Sequence, residues 1–101
     1  MAPLELLILK SLDGGPNHGF GITLHVQNAS GGLLGIEEGS LYPALRRLEK
    51  DGALMAEWNT TPAGRRARYY RLTPAGRKRL AKAERQWAAV ARGIARLLRF
   101  A

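Results

Sequence analysis

The spacing of apolar residues predicts that the chain begins with a helix. Pro3 suits the first turn of that helix, because the missing N–H of a proline costs nothing there. Leucine and isoleucine residues follow at helical spacing from Leu4 to Leu12, and they occupy two sides of the helix. A helix that is apolar on two sides must be covered by other elements on most of its surface.

A second predicted helix follows a break at Asp13–Pro16. Asn17 is its expected N-cap, since an asparagine side chain can accept a hydrogen bond from a free N–H at a helix start. Gly19 and Gly21 are poor helix formers, so we expect them to permit close approach of another part of the chain. Residues 28–35 form a predicted loop.

The third predicted helix begins near Glu37 and ends at Asp51–Gly52, where the glycine suits a left-handed residue after the helix. Pro43 is tolerated if the regular helix begins near Ser40, because a proline in the first turn needs no i−4 acceptor. Four apolar residues at the i, i+3, i+4, i+7 spacing of a buried stripe belong to this helix: Leu41, Ala44, Leu45 and Leu48.

Residues 53–58 and 67–72 have the pattern of two strands, and the polar residues 59–66 form the tip of a hairpin. Thr73 followed by Pro74 indicates an N-cap and a first helical residue. A fourth helix running from there to the end of the chain has 28 residues and a length of roughly 42 Å.

This order of elements predicts a mostly α fold with a small two-stranded β wing. Three short helices followed by a hairpin are the layout of a winged helix-turn-helix. We expect one compact unit with two parts, a winged domain at residues 1–73 and a long C-terminal helix at residues 74–101.

Composition excludes several classes of protein. The 101 residues include no cysteine, which excludes disulfides and thiolate metal sites. No apolar run approaches the ~20 residues of a membrane span, and the first residues lack a signal peptide, so we expect a cytoplasmic protein. His18 and His25 have no acidic third ligand to complete a metal site. No nucleophile, base and acid occur together, so we expect neither an enzyme nor a cofactor.

The net charge of +8 is unevenly distributed. Residues 1–63 carry four basic and seven acidic side chains, a net of −3, whereas residues 64–101 carry twelve basic side chains and one acid, a net of +11. Such a basic segment indicates either a polyanionic partner or a solvated basic face.

The exposed face of the third helix is suited to reading DNA. An arginine can donate two hydrogen bonds to the O6 and N7 of a guanine in the major groove, which admits a helix. A basic helix face by itself is more often a solvated surface, but a second basic cluster on the hairpin makes DNA binding the better interpretation. The alternative is a winged-helix protein-interaction module. The candidate residues are Ser40, Tyr42, Pro43, Arg46, Arg47 and Lys50 on the helix, and Arg65, Arg66 and Arg68 on the hairpin.

Three motifs resemble the PadR family of bacterial transcriptional regulators: His18-Gly-Phe-Gly-Ile22, Glu38-Gly-Ser-Leu-Tyr-Pro-Ala-Leu-Arg-Arg-Leu-Glu49 and Arg65-Arg-Ala-Arg-Tyr-Tyr-Arg-Leu-Thr-Pro-Ala-Gly76. The resemblance covers about residues 4–90, and three motifs in order are far more specific than one. Phe20 stands where the family usually has tyrosine, and Ser40 where threonine is common.

The resemblance implies a homodimeric winged-helix repressor that binds a pseudo-palindromic DNA operator. By position, the residues that meet DNA would be Ser40, Tyr42, Pro43, Arg65 and Arg66. His18 and Gly19 would lie near a phosphate. A helix-capping or packing role is the alternative for His18.

Apolar residues of the last helix alternate at steps of three and four, the 3.5-residue repeat of a coiled coil. We name them the C-terminal stripe and predict that they form a dimer interface. Packing against the first helix of the same chain is the alternative, and we expect some of both. The other side of this helix is basic, and we expect a solvated flank there. The stripe consists of Leu80, Ala83, Trp87, Val90, Ile94, Leu97 and Ala101.

The chain resembles the short PadR-like proteins, because a single long helix follows its wing. That resemblance implies a pocket for a flat aromatic effector at the dimer interface, with Trp87 as the candidate lining residue. Plain packing in the interface is the alternative for this tryptophan.

Overall fold

The architecture is that of a computed structural model, which describes residues 3–99. Within this range the chain forms four helices and three strands, in the order α1 (Leu4–Ser11), β1 (Asn17–His18), α2 (Gly19–Ala29), α3 (Glu38–Lys50), β2 (Leu54–Thr60), β3 (Arg66–Leu72) and α4 (Pro74–Leu98). The mostly α fold with a β wing is therefore confirmed.

Helix α1 lies at the centre of the core and contacts α2, α3 and α4. Ile8, Leu9 and Leu12 are fully buried, and the leucines on the other side of the helix are partly buried against the same core. The prediction that α1 is covered on most sides is confirmed. The rest of the core comes from α2, α3, α4, the hairpin and adjoining segments: Ile22, Val26, Ile36, Leu41, Ala44, Leu45, Leu48, Ala53, Leu54, Tyr70, Leu72 and Leu80.

The start of α2 differs from the prediction. Its N-cap is His18, whose Nδ1 accepts a hydrogen bond from the backbone N–H of Gly21 at 3.2 Å. The prediction of Asn17 as N-cap is wrong, because Asn17 belongs to β1 and pairs with Tyr70 of β3. The sheet thus gains a third strand, in the order β1-β3-β2, and β1 attaches the start of α2 to the hairpin.

Helix α3 buries the predicted stripe of four apolar residues. It begins at Glu38, because the Glu37 carbonyl accepts hydrogen bonds from the N–H groups of Ser40 and Leu41, both at 3.0 Å. The expectation that Pro43 lies in the first turn is therefore wrong. Pro43 has no N–H to donate to the Gly39 carbonyl, and Gly39 is exposed, so solvent can bind that oxygen.

The end of α3 follows its predicted form. Gly52 has a φ of 79°, and its N–H donates to the Glu49 carbonyl. The N–H of Ala53 donates to the Leu48 carbonyl at 2.9 Å. These two bonds form a Schellman motif, which satisfies the last carbonyls of the helix and directs the chain into β2.

Strands β2 and β3 extend further than predicted, to Thr60 and from Arg66, so the tip of the hairpin is residues 61–65. The two strands pair antiparallel, with Leu54 opposite Leu72 near the body of the domain. We call this β2–β3 hairpin the wing. Its greater length places more side chains outside the core than the sequence indicated.

Helix α4 begins as predicted, with Pro74 in its first turn and the Thr73 hydroxyl oxygen accepting a hydrogen bond from the Gly76 N–H at 3.0 Å. Gly76 faces the Ala53 carbonyl so closely that a Cβ there would lie 2.1 Å from the oxygen. The helix ends at Leu98, because Arg99 is left-handed with a φ of 57°. The prediction of a helix to the end of the chain is therefore wrong at Arg99, and residues 100 and 101 lie outside the described residues.

Ion pairs attach the first half of α4 to the body. Arg79 pairs with Glu5 of α1 and with Asp51 at the end of α3, the latter at 3.1 Å. Arg77 pairs with Asp13 at 3.3 Å. These two arginines are therefore not the freely solvated flank expected from the sequence. Each pair is partly exposed, so each contributes little by itself, about 0–1 kcal/mol, but together they orient α4.

Lys10 adds to the same network. Its ammonium lies 3.4 Å from Glu84 of α4 and 3.5 Å from Asp13. The hydrogen bond and attraction from Glu84 raise the pKa of Lys10 above its ordinary value. Lys10 thus links α1 to α4 through the acidic Glu84, in addition to the pairs made by Arg77 and Arg79.

Replacing Gly76 with alanine should destabilise the protein, because the new Cβ would clash with a backbone oxygen that cannot rotate away. We expect the free energy of unfolding, measured by urea denaturation, to fall by about 1–3 kcal/mol. Gly39→Ala is the matched control, since this helical glycine has no atom within 4 Å of the added Cβ. An equal loss in both variants would contradict the close contact.

Candidate nucleic-acid interface

A groove of about 1000 Å³ lies between the wing, α3 and the start of α2. We call it the wing groove. It brings together seven of the residues predicted to meet DNA: His18, Gly19, Tyr42, Arg46, Arg65, Arg66 and Arg68. The other four are on α3 and do not line the groove: Ser40, Pro43, Arg47 and Lys50. All four are exposed.

Gly19 allows α2 and α3 to approach each other at one wall of the groove. A Cβ on Gly19 would lie 2.7 Å from the hydroxyl oxygen of Tyr42. A Cβ on Gly21 would lie 2.0 Å from the side-chain oxygen of Asn17. The expectation that these glycines permit close approach is confirmed. Tyr42 therefore lies against α2 while a substantial part of its ring stays exposed.

His18 has the capping and packing role that the sequence left open. Its Nδ1 accepts the hydrogen bond from Gly21, and its ring meets Tyr69 edge-on, with the centroids 5.1 Å apart. A neutral imidazole that accepts at Nδ1 carries its proton on Nε2. Nε2 can therefore donate a hydrogen bond while Nδ1 caps the helix, so capping does not compete with a contact to a phosphate.

The exposed face of α3 carries two arginines, Arg46 and Arg47, on the side opposite the buried stripe. Within residues 3–99 neither forms an ion pair. Their guanidinium groups thus keep their donors for an external acceptor. The side chain of Tyr42 lies one turn before Arg46 along the same groove wall.

The inner face of the wing changes from apolar to cationic along its length. Tyr70 and Leu72 are buried where the wing joins the core. Arg68 and Arg66 follow on the same face at the two-residue period of a strand, and both are exposed. Burial raises the pKa of the Tyr70 phenol, so this residue stays neutral beneath the cationic part of the face.

Two side-chain contacts hold the wing arginines in place. The guanidinium of Arg66 lies over the Trp58 ring, 5.5 Å from its centroid, in a cation–π contact. Arg68 donates a hydrogen bond of 2.6 Å to a carboxylate oxygen of Glu49 on α3. Arg65 immediately precedes β3, after a tip that turns at Gly64 with a φ of 85°.

The groove is also lined by residues that were not predicted to meet DNA, and Phe20, Glu49 and Trp58 have the largest exposed apolar surface or a charge among them. Trp58 lies opposite Arg68 in the strand register, so a correct alignment of the two strands would have found it. Phe20 is 69% exposed, which its position at a helix start did not indicate. Glu49 meets Arg68 only through the tertiary fold, and no sequence signal indicates that contact.

The C-terminal stripe forms a second surface, and its burial decreases along α4. Leu80 is buried against the core, whereas Trp87 is 39% exposed and Leu97 is 81% exposed. Packing within the chain, the alternative reading, thus applies at the start of the stripe. Val90 and Ile94 are about half exposed. Ala101 lies outside the described residues.

A cavity of about 590 Å³ adjoins Trp87. It lies between α1, α4 and the loop before α3, and its lining is mostly apolar. The charged residues at its edge are Lys10 and Glu84, which pair with each other. An apolar cavity beside an exposed indole ring has the chemistry to accept a flat aromatic molecule.

Within residues 3–99 no three side chains of the types that bind metals come together. No helix in that range is both long and apolar enough to cross a bilayer.

Comparisons with known proteins assign most of the chain to one family. The family described as transcriptional regulator PadR-like matches residues 8–82. The transcriptional regulator Rv3488 of Mycobacterium tuberculosis is 44% identical to this chain over 59 residues, which are 58% of this chain and 54% of that protein.

Two solved structures share the fold over nearly the whole chain. A transcriptional regulator from Clostridium thermocellum is 29% identical, with a TM-score of 0.80, over 91% of this chain and 89% of that one. A PadR family transcriptional regulator from Eggerthella lenta is 33% identical, with a TM-score of 0.76, over 94% of this chain and 80% of that one.

Proposed function

Since the chain belongs to the PadR-like family of transcriptional regulators, and is a DNA-binding regulator on that ground, we propose that it is a homodimeric repressor that recognises a pseudo-palindromic operator. The observation that carries this proposal is the wing groove, where a cationic face of the wing lies beside the exposed arginines of α3. The protein acts in the cytoplasm as a regulator rather than as an enzyme, and it needs no cofactor.

In this proposal α3 enters the major groove of the operator. Its exposed arginines donate to guanine edges or phosphates, and its hydroxyl groups bind base edges or the backbone. The absence of ion pairs at Arg46 and Arg47 within residues 3–99 supports this role. The residues proposed to contact DNA from α3 are Ser40, Tyr42, Pro43, Arg46 and Arg47.

The wing then reaches the adjacent minor groove or phosphate backbone with Arg65, Arg66 and Arg68. His18 and Gly19 lie near a phosphate, and the free Nε2 donor of His18 supports that contact. Because these groups come from α2, α3 and the wing, the contacts would follow the DNA across more than one groove.

The proposed homodimer pairs the exposed part of the C-terminal stripe with that of a second copy. The half-exposed Val90 and Ile94 support this pairing, since a 3.5-residue apolar repeat is shaped for another helix. Residues 1–73 then form the DNA-binding domain, and residues 74–101 form the dimerisation helix. Two-fold symmetry would present two α3 helices to half-sites about 34–36 Å apart.

The cavity beside Trp87 supports a further part of the proposal, release of the operator by a small aromatic effector. A ligand stacked on the indole ring would lie between α1 and α4. Because α4 also carries the dimer contact, such binding would change the relation between the two DNA-binding domains.

Selection from a random duplex library should enrich a pseudo-palindromic sequence that the protein binds in preference to a scrambled duplex. Arg65→Ala and Arg66→Ala should each reduce the slope of log K against log salt by about 0.9. Arg71→Ala is the matched control, because Arg71 is on the opposite face of β3, and its slope should change less. Equal binding to both duplexes would favour the protein-interaction module.

Ile94→Lys or Leu97→Lys should yield a monomer in sedimentation velocity, because a charge in an apolar helix interface is left without a partner. Most of the affinity for the enriched duplex should be lost as well. Ala89→Lys is the control, since it adds the same charge to α4 away from the stripe. A dimer that survives the stripe substitutions would disprove this interface.

Flat aromatic compounds, cationic or phenolic, should quench the fluorescence of Trp87 in a saturable manner. Trp58→Phe is the background for this titration, since Trp58 and Trp87 are the two tryptophans of the chain. Quenching that rises linearly without saturation would argue against an effector site.

A further inference from the structure

We propose that Glu49 is a positioning residue, which fixes the wing relative to α3 and so favours the operator over other DNA. The inference rests on the proposed DNA binding. Among the described residues, Glu49 is the one carboxylate that lines the wing groove. A carboxylate repels phosphate, so its position beside the arginines needs a physical reason.

The ion pair with Arg68 supplies that reason. Glu49 is in the last turn of α3, and its carboxylate lies 2.6 Å from the Arg68 guanidinium in β3. Within residues 3–99 this is the one side-chain hydrogen bond between α3 and the wing. Both side chains are partly exposed, Glu49 at 31% and Arg68 at 44%, so water screens part of the attraction between them.

The outer part of the wing has little else to hold it against α3. Beyond Ala56 and Tyr70 no residue of either strand is buried. Trp58 is 60% exposed and lies opposite Arg68. The direction of the outer wing relative to α3 therefore depends on the hairpin backbone, on the pairing of β1 with β3 and on the Glu49–Arg68 pair.

The direction of the wing matters most for a DNA site that contacts α3 and the wing together. If the two elements have a fixed separation, both can bind one operator without the entropy cost of ordering the wing. Nonspecific binding needs no such match, because it depends mainly on the number of phosphates neutralised. Removal of the Glu49 charge should therefore weaken operator binding and strengthen nonspecific binding.

Glu49→Gln tests these opposite effects with the enriched duplex and a scrambled duplex of the same length, at about 0.15 M salt. We expect affinity for the enriched duplex to fall roughly twofold to fivefold. Affinity for the scrambled duplex should rise about twofold because the protein loses a negative charge. Removal of an acid from a DNA-binding surface without a positioning role would strengthen both.

Glu57→Gln is the matched control. Glu57 is exposed on the outer face of the same hairpin, opposite Tyr69, and its substitution removes the same charge. It should raise affinity for both duplexes together.

The outcomes separate the two proposals. If the unaltered protein does not discriminate the enriched from the scrambled duplex, the proposed operator binding is wrong and this inference is wrong with it. If it discriminates but Glu49→Gln raises both affinities as Glu57→Gln does, only the positioning role is overturned. If affinity for both duplexes falls in parallel and the melting temperature of Glu49→Gln is lower, Glu49 stabilises the fold. That result would also overturn the positioning role.

Discussion

The backbone around Ala53 is the point on which the relative directions of α3, the wing and α4 depend. Its N–H closes the end of α3, and its carbonyl accepts a hydrogen bond from Thr73 at 3.0 Å. The Thr73 hydroxyl donates to the Gly52 carbonyl at 2.6 Å and also caps α4. A glycine at position 76 is required beside that carbonyl. Helix α3, the wing and helix α4 therefore extend from this one junction in fixed directions. These directions determine where the exposed face of α3, the wing and the C-terminal stripe lie.

This arrangement of the elements determines which of the unevenly distributed charges pair with each other. The acidic first part of the chain and the basic second part are folded onto each other, and Arg79 meets both Glu5 and Asp51. Ion pairs of this kind neutralise part of the basic excess near the body. Arg46 and Arg47 belong to the acidic part of the sequence, yet they stay unpaired within residues 3–99 and lie on the α3 surface. A count of charges along the chain therefore describes attraction to a polyanion, whereas the pairing determines which arginines remain available.

Family membership identifies the kind of protein, whereas the geometry describes how the proposed interface is supported. The match over residues 8–82 shows that the chain is a PadR-like regulator. The geometry adds how the interface is supported, through Gly19 beneath Tyr42, Trp58 beneath Arg66 and Glu49 beside Arg68. Such supporting contacts reduce the freedom of the groups that bind, so less entropy is lost on association.

Local patterns in the sequence determined most of the elements. The apolar period of α3, the stop at Gly52 and the Thr73–Pro74 helix start depend on neighbours within a few residues, and each was predictable for that reason. The exposed residues of α3 that we propose to face DNA followed from the same period, since the exposed face is what the buried stripe leaves. Only the tertiary structure decided that His18 rather than Asn17 caps α2, because β3 draws Asn17 into the sheet. It also decided that Glu49 meets Arg68, since their contact joins residues 19 positions apart, and pairing at such a separation is set by packing rather than by local preference.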